Sequence, residues 1–344
     1  MLRPVATLSV IIFALASNDC PPKKLGSNSN SNSSATSSSC GSHSLVSNVP
    51  VGSRPTGLDI LPAFNRIYVS NQNDNTVRVI QGSNNAQLGN PLPVGTFPQD
   101  VAANSITSLL YVANQSVNSV SVLSAPLNGP IGRPIGVGST PIGVAVHAGI
   151  NHIFVTNNAD NTVSVIDGSN NNVVTAIIPV GRGPHGIAVN PNTNRVYVAN
   201  RTDNTVNVIN SATNNVIGGP IAVGNAPTGV AVNPQTNLIY VTNQSDNTIT
   251  VIDGGTNNVS VPAIAVGSGP YRAAVNSATN LIYVSNIQSN EVSVINGGTG
   301  SVCSTFTVGR GSASSPAGLS VNAAINRIYV AVQAENLVAV IAGP

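Results

Sequence analysis

The fold is decided by one phrase that the chain repeats. Residues 239–259 read IYVTNQSDNTITVIDGGTNNV, and residues 196–216, one copy earlier, read VYVANRTDNTVNVINSATNNV. A Val-Gly pair precedes each copy and recurs seven times, with Val at positions 51, 94, 137, 180, 223, 266 and 308. All six intervals between these positions are 43 or 42 residues long. A constant period of this length indicates a repeat architecture.

Each copy contains four short strand-like segments. In the fifth copy these are GVAVN (229–233), LIYVTN (238–243), TITVID (248–253) and a looser segment that leads to the next Val-Gly. Asn, Gly and Pro separate them, as expected for turns. The second and third segments are apolar on both faces, so both faces must be buried. Stacking of sheets around an axis provides this burial, and we predict an all-β, seven-bladed β-propeller with four-stranded antiparallel blades.

The two ends of the repeat region complement each other. The last copy stops at Pro344 after its third strand, and SLVSNVP (44–50) precedes the first Val-Gly as an unassigned strand. We expect this N-terminal strand to complete the last blade and to close the ring, which protects the sheet edges. The predicted propeller therefore extends over residues 44–344.

The first 43 residues have a different composition. Residues 1–16 combine Arg3, a short apolar run and Ala-Leu-Ala, which is typical of a secretory signal peptide. The apolar run is too short for a membrane span, and no transmembrane segment is predicted in the mature chain. Residues 17–43 are rich in Ser and Asn and are predicted to be a disordered tether. We therefore expect a secreted, periplasmic or cell-surface protein.

The chain has three cysteines. Cys20 and Cys40 both lie in the predicted tether, where an oxidising compartment would allow them to pair. The residues before Cys20 do not resemble a bacterial lipobox, so lipidation is not expected. Cys303 lies in a strand-like run and is expected to be a small buried hydrophobic residue.

Charge is scarce throughout the chain. Only 7% of the residues are charged and the formal net charge is +2, whereas soluble domains usually carry about 25% charged residues. Such a balance gives no electrostatic attraction to nucleic acid or to a membrane surface. Asn, Ser, Thr and Gly must hydrate the surface instead.

The repeated phrase resembles the YVTN β-propeller repeat family, which includes YncE-like proteins. The resemblance rests on VGNAPTGVAVNPQTNLIYVTN (223–243) and VTNQSDNTITVIDGGTNNV (241–259), and it covers residues 44–344. It implies the propeller fold and an exported protein, and it is weakly informative about function. Some propeller lactonases contain similar repeats, and YncE-like proteins have been linked to DNA.

The copies differ most in the loop that follows Val-Gly. In propellers this loop lies on the face that usually carries the site, close to the central channel. Asp100 and Arg272 replace the Gly of other copies, and Asp59 replaces a small residue of the innermost strand. We predict a basic, partly aromatic ligand site at the channel mouth, because Arg suits carboxylate and phosphate groups and Tyr offers a stacking face. Its candidate residues are Arg54, Asp59, Phe97, Asp100, Arg182, His185, Tyr271, Arg272 and Arg310. The alternative is that an exposed loop face collects the few charges needed for solubility.

Other polar residues recur at one position in four of the copies and call for a structural interpretation. Asp74, Asp160, Asp203 and Asp246 occupy one turn position and are expected to cap backbone N–H groups. His147 and His152 are expected at the opposite face, which leaves His185 as the one histidine near the mouth. No metal site and no cofactor are predicted, because no group of ligating residues converges.

Three functions agree with these patterns. The first is a non-enzymatic, monomeric binding scaffold at or outside the cell envelope, whose partner is a protein, a glycan or a small anion. The second is a propeller lactonase or hydrolase that uses Asp59, Asp100 and His185. The third is DNA binding, against which the near-neutral charge, the absence of Trp and the export signal argue.

Overall fold

The computed structural model of the chain describes residues 40–170, 172–311 and 313–344. The predicted signal peptide, Cys20 and the tether up to residue 39 lie outside these ranges. The helices within them are three 3₁₀ turns of three residues each, Pro62–Phe64, Gln115–Val117 and Gln333–Glu335. None of the described helices could therefore cross a membrane.

The described residues form thirty strands, which we number in chain order. Strand β1 is Ser44–Pro50. Blade 1 contains β2 (Pro55–Leu61), β3 (Arg66–Asn71), β4 (Thr76–Gln81), β5 (Ala86–Gln87) and β6 (Leu92–Pro93). Blade 2 contains β7 (Pro98–Ala103), β8 (Leu109–Asn114), β9 (Ser119–Ser124), β10 (Gly129–Pro130) and β11 (Ile135–Gly136). Blade 3 contains β12 (Pro141–His147), β13 (His152–Asn157), β14 (Thr162–Asp167) and β15 (Val173–Pro179).

The other four blades follow in the same order. Blade 4 contains β16 (Pro184–Asn190), β17 (Arg195–Asn200), β18 (Thr205–Asn210) and β19 (Asn215–Ala222). Blade 5 contains β20 (Pro227–Asn233), β21 (Leu238–Asn243), β22 (Thr248–Asp253) and β23 (Asn258–Ala265). Blade 6 contains β24 (Pro270–Asn276), β25 (Leu281–Asn286), β26 (Glu291–Asn296) and β27 (Ser301–Thr307). Blade 7 contains β28 (Pro316–Asn322), β29 (Arg327–Val332) and β30 (Leu337–Ala342).

Each blade is an antiparallel sheet whose strands follow one another from the inside to the outside. In blades 1 and 2 the outermost position is shared by two short strands, β5 with β6 and β10 with β11. The segments 86–93 and 129–136 are rich in Gly and Pro, and Pro has no N–H to donate to a neighbouring strand. The predicted all-β, seven-bladed propeller is confirmed.

The hydrophobic core lies between the blades. Each of seven clusters of buried side chains combines residues of adjacent blades; in one of them Tyr240 of blade 5 packs with Ile282 and Val284 of blade 6. The recurring aromatic position is buried in every blade and is occupied by Tyr68, Tyr111, Phe154, Tyr197, Tyr240, Tyr283 and Tyr329. A single blade would expose these side chains, so the ring of blades is the unit that folds.

A seven-fold set of asparagines joins neighbouring blades on one face. The side chain of Asn75 in blade 1 accepts a hydrogen bond of 2.9 Å from the Phe97 N–H of blade 2. Asn118, Asn161, Asn204, Asn247 and Asn290 repeat this bond in the following blades. All of these asparagines have a positive φ, which Asn adopts more readily than other side chains.

The same bond closes the ring. Asn336 of blade 7 accepts from the Arg54 N–H of blade 1 at 2.9 Å, across 282 residues of chain. Strand β1 pairs antiparallel with β30, for example Val49 with Val338, and so supplies the outermost strand of blade 7. The predicted closure by the N-terminal strand is confirmed.

The pairing of the cysteines differs from the prediction. Cys40 forms a disulfide with Cys303 of β27, with the two Cα atoms 5.5 Å apart. Sequence proximity suggested Cys20 as the partner and an unpaired Cys303, and both interpretations are wrong. The physical reason is ring closure, which brings the residues before β1 against blade 6, 263 residues away along the chain.

The end of the predicted tether is likewise anchored. Cys40 is buried, and the ring of His43 stacks on Phe306 with 5.2 Å between ring centroids. His43 Nε2 also lies 3.2 Å from the hydroxyl oxygen of Tyr283. Residues 40–43 therefore belong to the packed structure, because blade 6 offers them an aromatic surface and a disulfide partner.

Two histidines, His147 and His152, lie on the opposite face of the ring and make contacts between blades there. On this face an Asn side chain of one blade donates to an Asn of the next, as Asn190 Nδ2 does to Asn237 Oδ1 at 2.7 Å. His147 occupies the corresponding position in blade 3, with Nε2 2.9 Å from Asn194 Oδ1. His152 Nδ1 lies 3.3 Å from the carbonyl oxygen of Ser211. Both histidines link blades, at the face that the sequence predicted.

Candidate functional site

The innermost strands of the seven blades surround the central channel, and each begins with Pro. Five blades carry Gly two residues after this Pro, namely Gly57, Gly143, Gly186, Gly229 and Gly318. A Cβ on Gly57 would lie 2.6 Å from the Cα of Asp100 in the next blade, so the blades approach closely only because Gly has no side chain. The residue directly after this Pro lies at the end of the channel that carries the loops after Val-Gly. In five blades this residue is Thr56, Gln99, Ile142, His185 or Tyr271.

A cavity of about 380 Å³ opens at this end of the channel. We call it the mouth cavity, and its lining residues are Arg54, Thr56, Gln72, Phe97, Gln99, Gln115, Ile142, Asn158, His185, Arg201, Tyr271, Ile287 and Gln333. Its volume falls in the range of small-molecule sites, about 300–1,000 Å³. Amide side chains, two guanidinium groups and two aromatic rings provide the polar and stacking surfaces.

The mouth cavity has positive but no negative side chains in its described lining. Arg54 and Arg201 are both exposed there, and no Asp or Glu is among the lining residues. Arg201 Nη2 donates to Gln244 Oε1 at 2.8 Å, which holds its guanidinium in place and leaves its other N–H groups for a ligand. Two arginines without a carboxylate favour an anion.

His185 is the buried histidine of the mouth cavity lining, with 7% of its surface exposed. Its Nδ1 lies 2.9 Å from the carbonyl oxygen of Thr228, and since a carbonyl only accepts, Nδ1 carries the hydrogen. Burial lowers the pKa of His185 to about 3, and the positive charges of Arg272 and Arg201 act in the same direction. The imidazole is therefore neutral near pH 7, with a lone pair on Nε2.

A second cavity of about 340 Å³, the channel cavity, is formed by the innermost strands themselves. Asp59, Asp100 and Arg272 line it together with mainly Val, Ala and Leu side chains. Arg272 Nη2 and Asp100 Oδ2 lie 3.0 Å apart, so this ion pair spans the channel from blade 6 to blade 2. Both side chains are largely shielded from solvent, with 13% and 14% exposed.

The two partners influence each other's protonation. Burial works against the charged guanidinium, but the charge and hydrogen bond of Asp100, together with Tyr271, raise the pKa of Arg272. Burial also raises the pKa of Asp100, and the Arg272 guanidinium opposes that shift. Removal of one member of such a buried pair leaves the other without a compensating charge.

Asp59 is the third ionisable group of the channel. Its Oδ1 accepts from the Ile60 N–H at 2.8 Å, and its Oδ2 accepts from the Ala103 N–H at 2.9 Å. Burial raises the pKa of Asp59 to about 6, and the neighbouring Asp100 carboxyl adds to the shift. This carboxyl therefore exchanges its proton in the physiological pH range.

The structure divides the predicted site residues into three groups. Arg54, Phe97, His185 and Tyr271 line the mouth cavity, and Asp59, Asp100 and Arg272 line the channel cavity. Arg182 and Arg310 join neither group. Arg182 Nε pairs with Asp203 at 2.6 Å, and the backbone N–H of Arg310 donates to Glu335 Oε1. The Arg182 guanidinium is therefore engaged by a carboxylate of the adjacent loop, and neither residue is part of the two cavity linings.

The sequence prediction omitted much of the mouth lining. Gln72, Gln115, Asn158, Arg201 and Gln333 all occupy the first loop position after the second strand of a blade. The departures from the repeat that drew attention lie in the loop after Val-Gly, and these residues lie in a different loop. An alignment of the copies at this position contains the signal that would have found them, because five copies carry an amide side chain there, one carries Arg201 and one carries Ile287.

The recurring aspartates have the expected structural role. Asp160 Oδ2 accepts from the Ser139 N–H at 2.6 Å, and Asp74, Asp203 and Asp246 make the corresponding bond in their blades. Within the described residues no group of three or more His, Cys, Asp or Glu side chains could hold a metal ion. The aspartates therefore fasten the loops that shape the mouth.

Comparison with known proteins agrees with the fold. A family model described as "Lactonase, 7-bladed beta-propeller" matches residues 137–259, which contain blades 3 and 4 and three strands of blade 5. No curated protein matches the chain. Among solved structures it is similar to Kuenenia stuttgartiensis hydrazine synthase, with a TM-score of 0.74 and 17% identity over 83% of this chain and 95% of that chain. The chain is thus a seven-bladed β-propeller.

Proposed function

We propose that this propeller is a non-enzymatic binding protein that holds a small organic anion in the mouth cavity. The observation that carries the proposal is the pair Arg54 and Arg201, which line a cavity of about 380 Å³ without an opposing carboxylate among its described lining residues. An anion would receive charge-assisted hydrogen bonds from them. Phe97 and Tyr271 would contact its apolar part.

The geometry gives less support to catalysis by the predicted residues. A nucleophile and base need a third group that orients the base. His185 is oriented by a backbone carbonyl, and the Asp100 carboxylate is engaged by Arg272. Neither His185 nor Asp100 is therefore arranged as the oriented base of a catalytic pair.

Export is part of the same proposal. The signal-peptide pattern of residues 1–16 supports it, and so does the disulfide between Cys40 and Cys303, because disulfides persist in oxidising compartments. The YVTN resemblance, with its exported members, agrees with this location. A secreted, periplasmic or cell-surface protein would meet its ligand outside the cytoplasm.

Titration calorimetry of the full chain with acetate, butyrate and citrate tests the binding proposal. At least one acid is expected to bind, and Arg201→Gln and Arg54→Gln are each expected to weaken it roughly tenfold, as loss of a charge-assisted hydrogen bond predicts. Arg133→Gln is the matched control, because Arg133 is exposed between β10 and β11, outside the cavity lining. Equal affinities of all four proteins, or no binding of any acid, would contradict the proposal.

A lactonase is the second candidate, and two observations favour it. The family model that matches residues 137–259 is a lactonase model, and the Asp59 pKa of about 6 suits a group that exchanges protons with a substrate. Hydrolysis of γ-butyrolactone by the native protein, reduced about 100-fold or more in Asp59→Asn, would establish this activity. Lactone binding without turnover would leave the binding function.

A further inference from the structure

His185 offers one atom to the mouth cavity. Its Nδ1–H is used by the Thr228 carbonyl, whereas Nε2 has no hydrogen-bond partner among the described residues. Nε2 is not fully enclosed by the protein and retains some exposed surface. Because His185 lines the mouth cavity, this lone pair is available to a molecule there. An acceptor that is nine-tenths buried and unpaired is satisfied by a ligand that donates a hydrogen bond.

The surroundings determine which kind of donor fits. Arg272 and Arg201 both act electrostatically on His185, and the Tyr271 ring packs edge-on against the imidazole with 5.8 Å between centroids. Two nearby positive charges disfavour an ammonium group. A neutral hydroxyl donates without adding charge, and it can also use the amide oxygens of the lining.

We propose that the mouth cavity recognises a hydroxycarboxylic acid, whose hydroxyl donates to His185 Nε2 while its carboxylate is bound by Arg201 and Arg54. This inference rests on the proposed binding of an organic anion and adds the specificity. His185 is then the specificity-determining residue. Gln99 and Gln115, which hydrogen-bond to each other at the cavity wall, are placed to receive further hydroxyl groups of a longer acid.

Pairs of acids that differ in one group test the assignment. Calorimetric titrations would compare 3-hydroxybutyrate, as both enantiomers, with butyrate and with 3-aminobutyrate. We expect one hydroxybutyrate enantiomer to bind roughly five- to tenfold more tightly than butyrate, the effect of one net hydrogen bond. The amino acid is expected to bind more weakly than either.

Two variants assign the preference to His185. His185→Phe is expected to lose the preference for the hydroxyl, measured as the ratio of the hydroxybutyrate and butyrate affinities within that variant. His185→Gln, whose side chain retains both a donor and an acceptor, is expected to keep part of it. Thermal melting of both variants checks that the ring remains folded, and if His185→Phe unfolds, the Gln variant and the ligand pairs still decide.

The pH dependence gives a separate readout. The groups that face His185 are Arg201, Arg272 and Tyr271, of which the arginines keep their charge, and the pKa of His185 is about 3. The hydroxyl preference should therefore be constant between about pH 5 and about pH 8. A preference that falls as pH rises through about 6.5 would show a protonated His185 donating to the ligand and would overturn the proposal.

The remaining outcomes separate the two proposals. Equal affinity for butyrate and hydroxybutyrate, or a preference retained in His185→Phe, would overturn the hydroxyl assignment and leave the binding of organic anions intact. Absence of binding by every acid, in the native protein, would overturn both.

Discussion

Individual asparagines do in this protein what charged residues do in most others. Asn336 and its six counterparts hold a positive φ and join successive blades through a side chain to N–H bond. An amide side chain stabilises a left-handed residue locally and needs no counter-ion. This use of Asn explains how a chain with 7% charged residues can build a ring of polar loops. The charged side chains of the channel are therefore exceptions that need their own reasons.

Asp59 predicts a pH dependence of stability. Its pKa is raised from 3.8 in a free side chain to about 6 in the fold, so the folded protein holds a proton that the unfolded chain releases. The resulting stabilisation is fully present below about pH 4 and is lost as pH rises to about 6, which amounts to about 3 kcal/mol. Denaturation of the native protein and of Asp59→Asn across this range measures it. The stability of the Asn variant relative to the native protein should rise with pH, and a constant difference would contradict the assigned pKa.

At the scale of strands, β7 and β24 depart from the other innermost strands in the same way. Both carry a charged side chain at the position where five blades carry Gly, and in both the residue at this position pairs directly with the second strand of its blade. The two side chains meet across the channel as Asp100 and Arg272. Each departure thus supplies the partner that the other requires.

Variants of the ion pair test this interdependence. Asp100→Gly alone leaves a buried guanidinium without its carboxylate and is expected to lower the free energy of unfolding by about 3–5 kcal/mol, and Arg272→Gly should act similarly. The double variant, which restores the Gly of the other blades, should be more stable than either single variant. Urea denaturation of the four proteins measures the coupling. Additive losses would show that the two residues act independently.

The whole molecule is closed by contacts between residues far apart in the chain. Strand β1 completes blade 7, Asn336 accepts from the Arg54 N–H, and the Cys40–Cys303 disulfide ties the start of β1 to blade 6. These contacts join blade 7 to blade 1 and join the N-terminal segment to blade 6, so they connect the two ends of the chain. A cross-link over 263 residues restricts the unfolded chain strongly.

Reduction of the disulfide is expected to destabilise the ring. Cys40→Ser and Cys303→Ser should each lower the free energy of unfolding by about 2–5 kcal/mol, and reduction of the native protein should have the same effect. Thermal melting with and without reductant measures this, and peptide mapping under non-reducing conditions identifies the pair. Cys20→Ser is the control and should leave the melting temperature unchanged. Destabilisation by Cys20→Ser instead would favour the pairing inferred from sequence proximity.

Repetition made the fold predictable, and departures from repetition made part of the candidate site predictable. Seven copies act as an internal alignment, so Asp59, Asp100 and Arg272 could be recognised as unusual and were assigned to the channel mouth, whereas the structure places them in the channel cavity. Arg182 and Arg310 are unusual in the same loop but line neither cavity, and the Arg182 guanidinium pairs with Asp203 instead. The direction of a side chain depends on which neighbour can pair with it, and the repeat pattern does not contain that information.

The sequence by itself determined the blades, their number and the closure of the ring, because each follows from local strand and turn chemistry repeated at a constant period. Tertiary structure alone decided which residues meet across the channel and the seam. Arg272 reaches Asp100 over 172 residues, and Cys40 reaches Cys303 rather than Cys20. These contacts depend on the diameter of the closed ring and on the length of individual side chains. The orientation of His185 toward Thr228, which leaves Nε2 for a ligand, has the same origin.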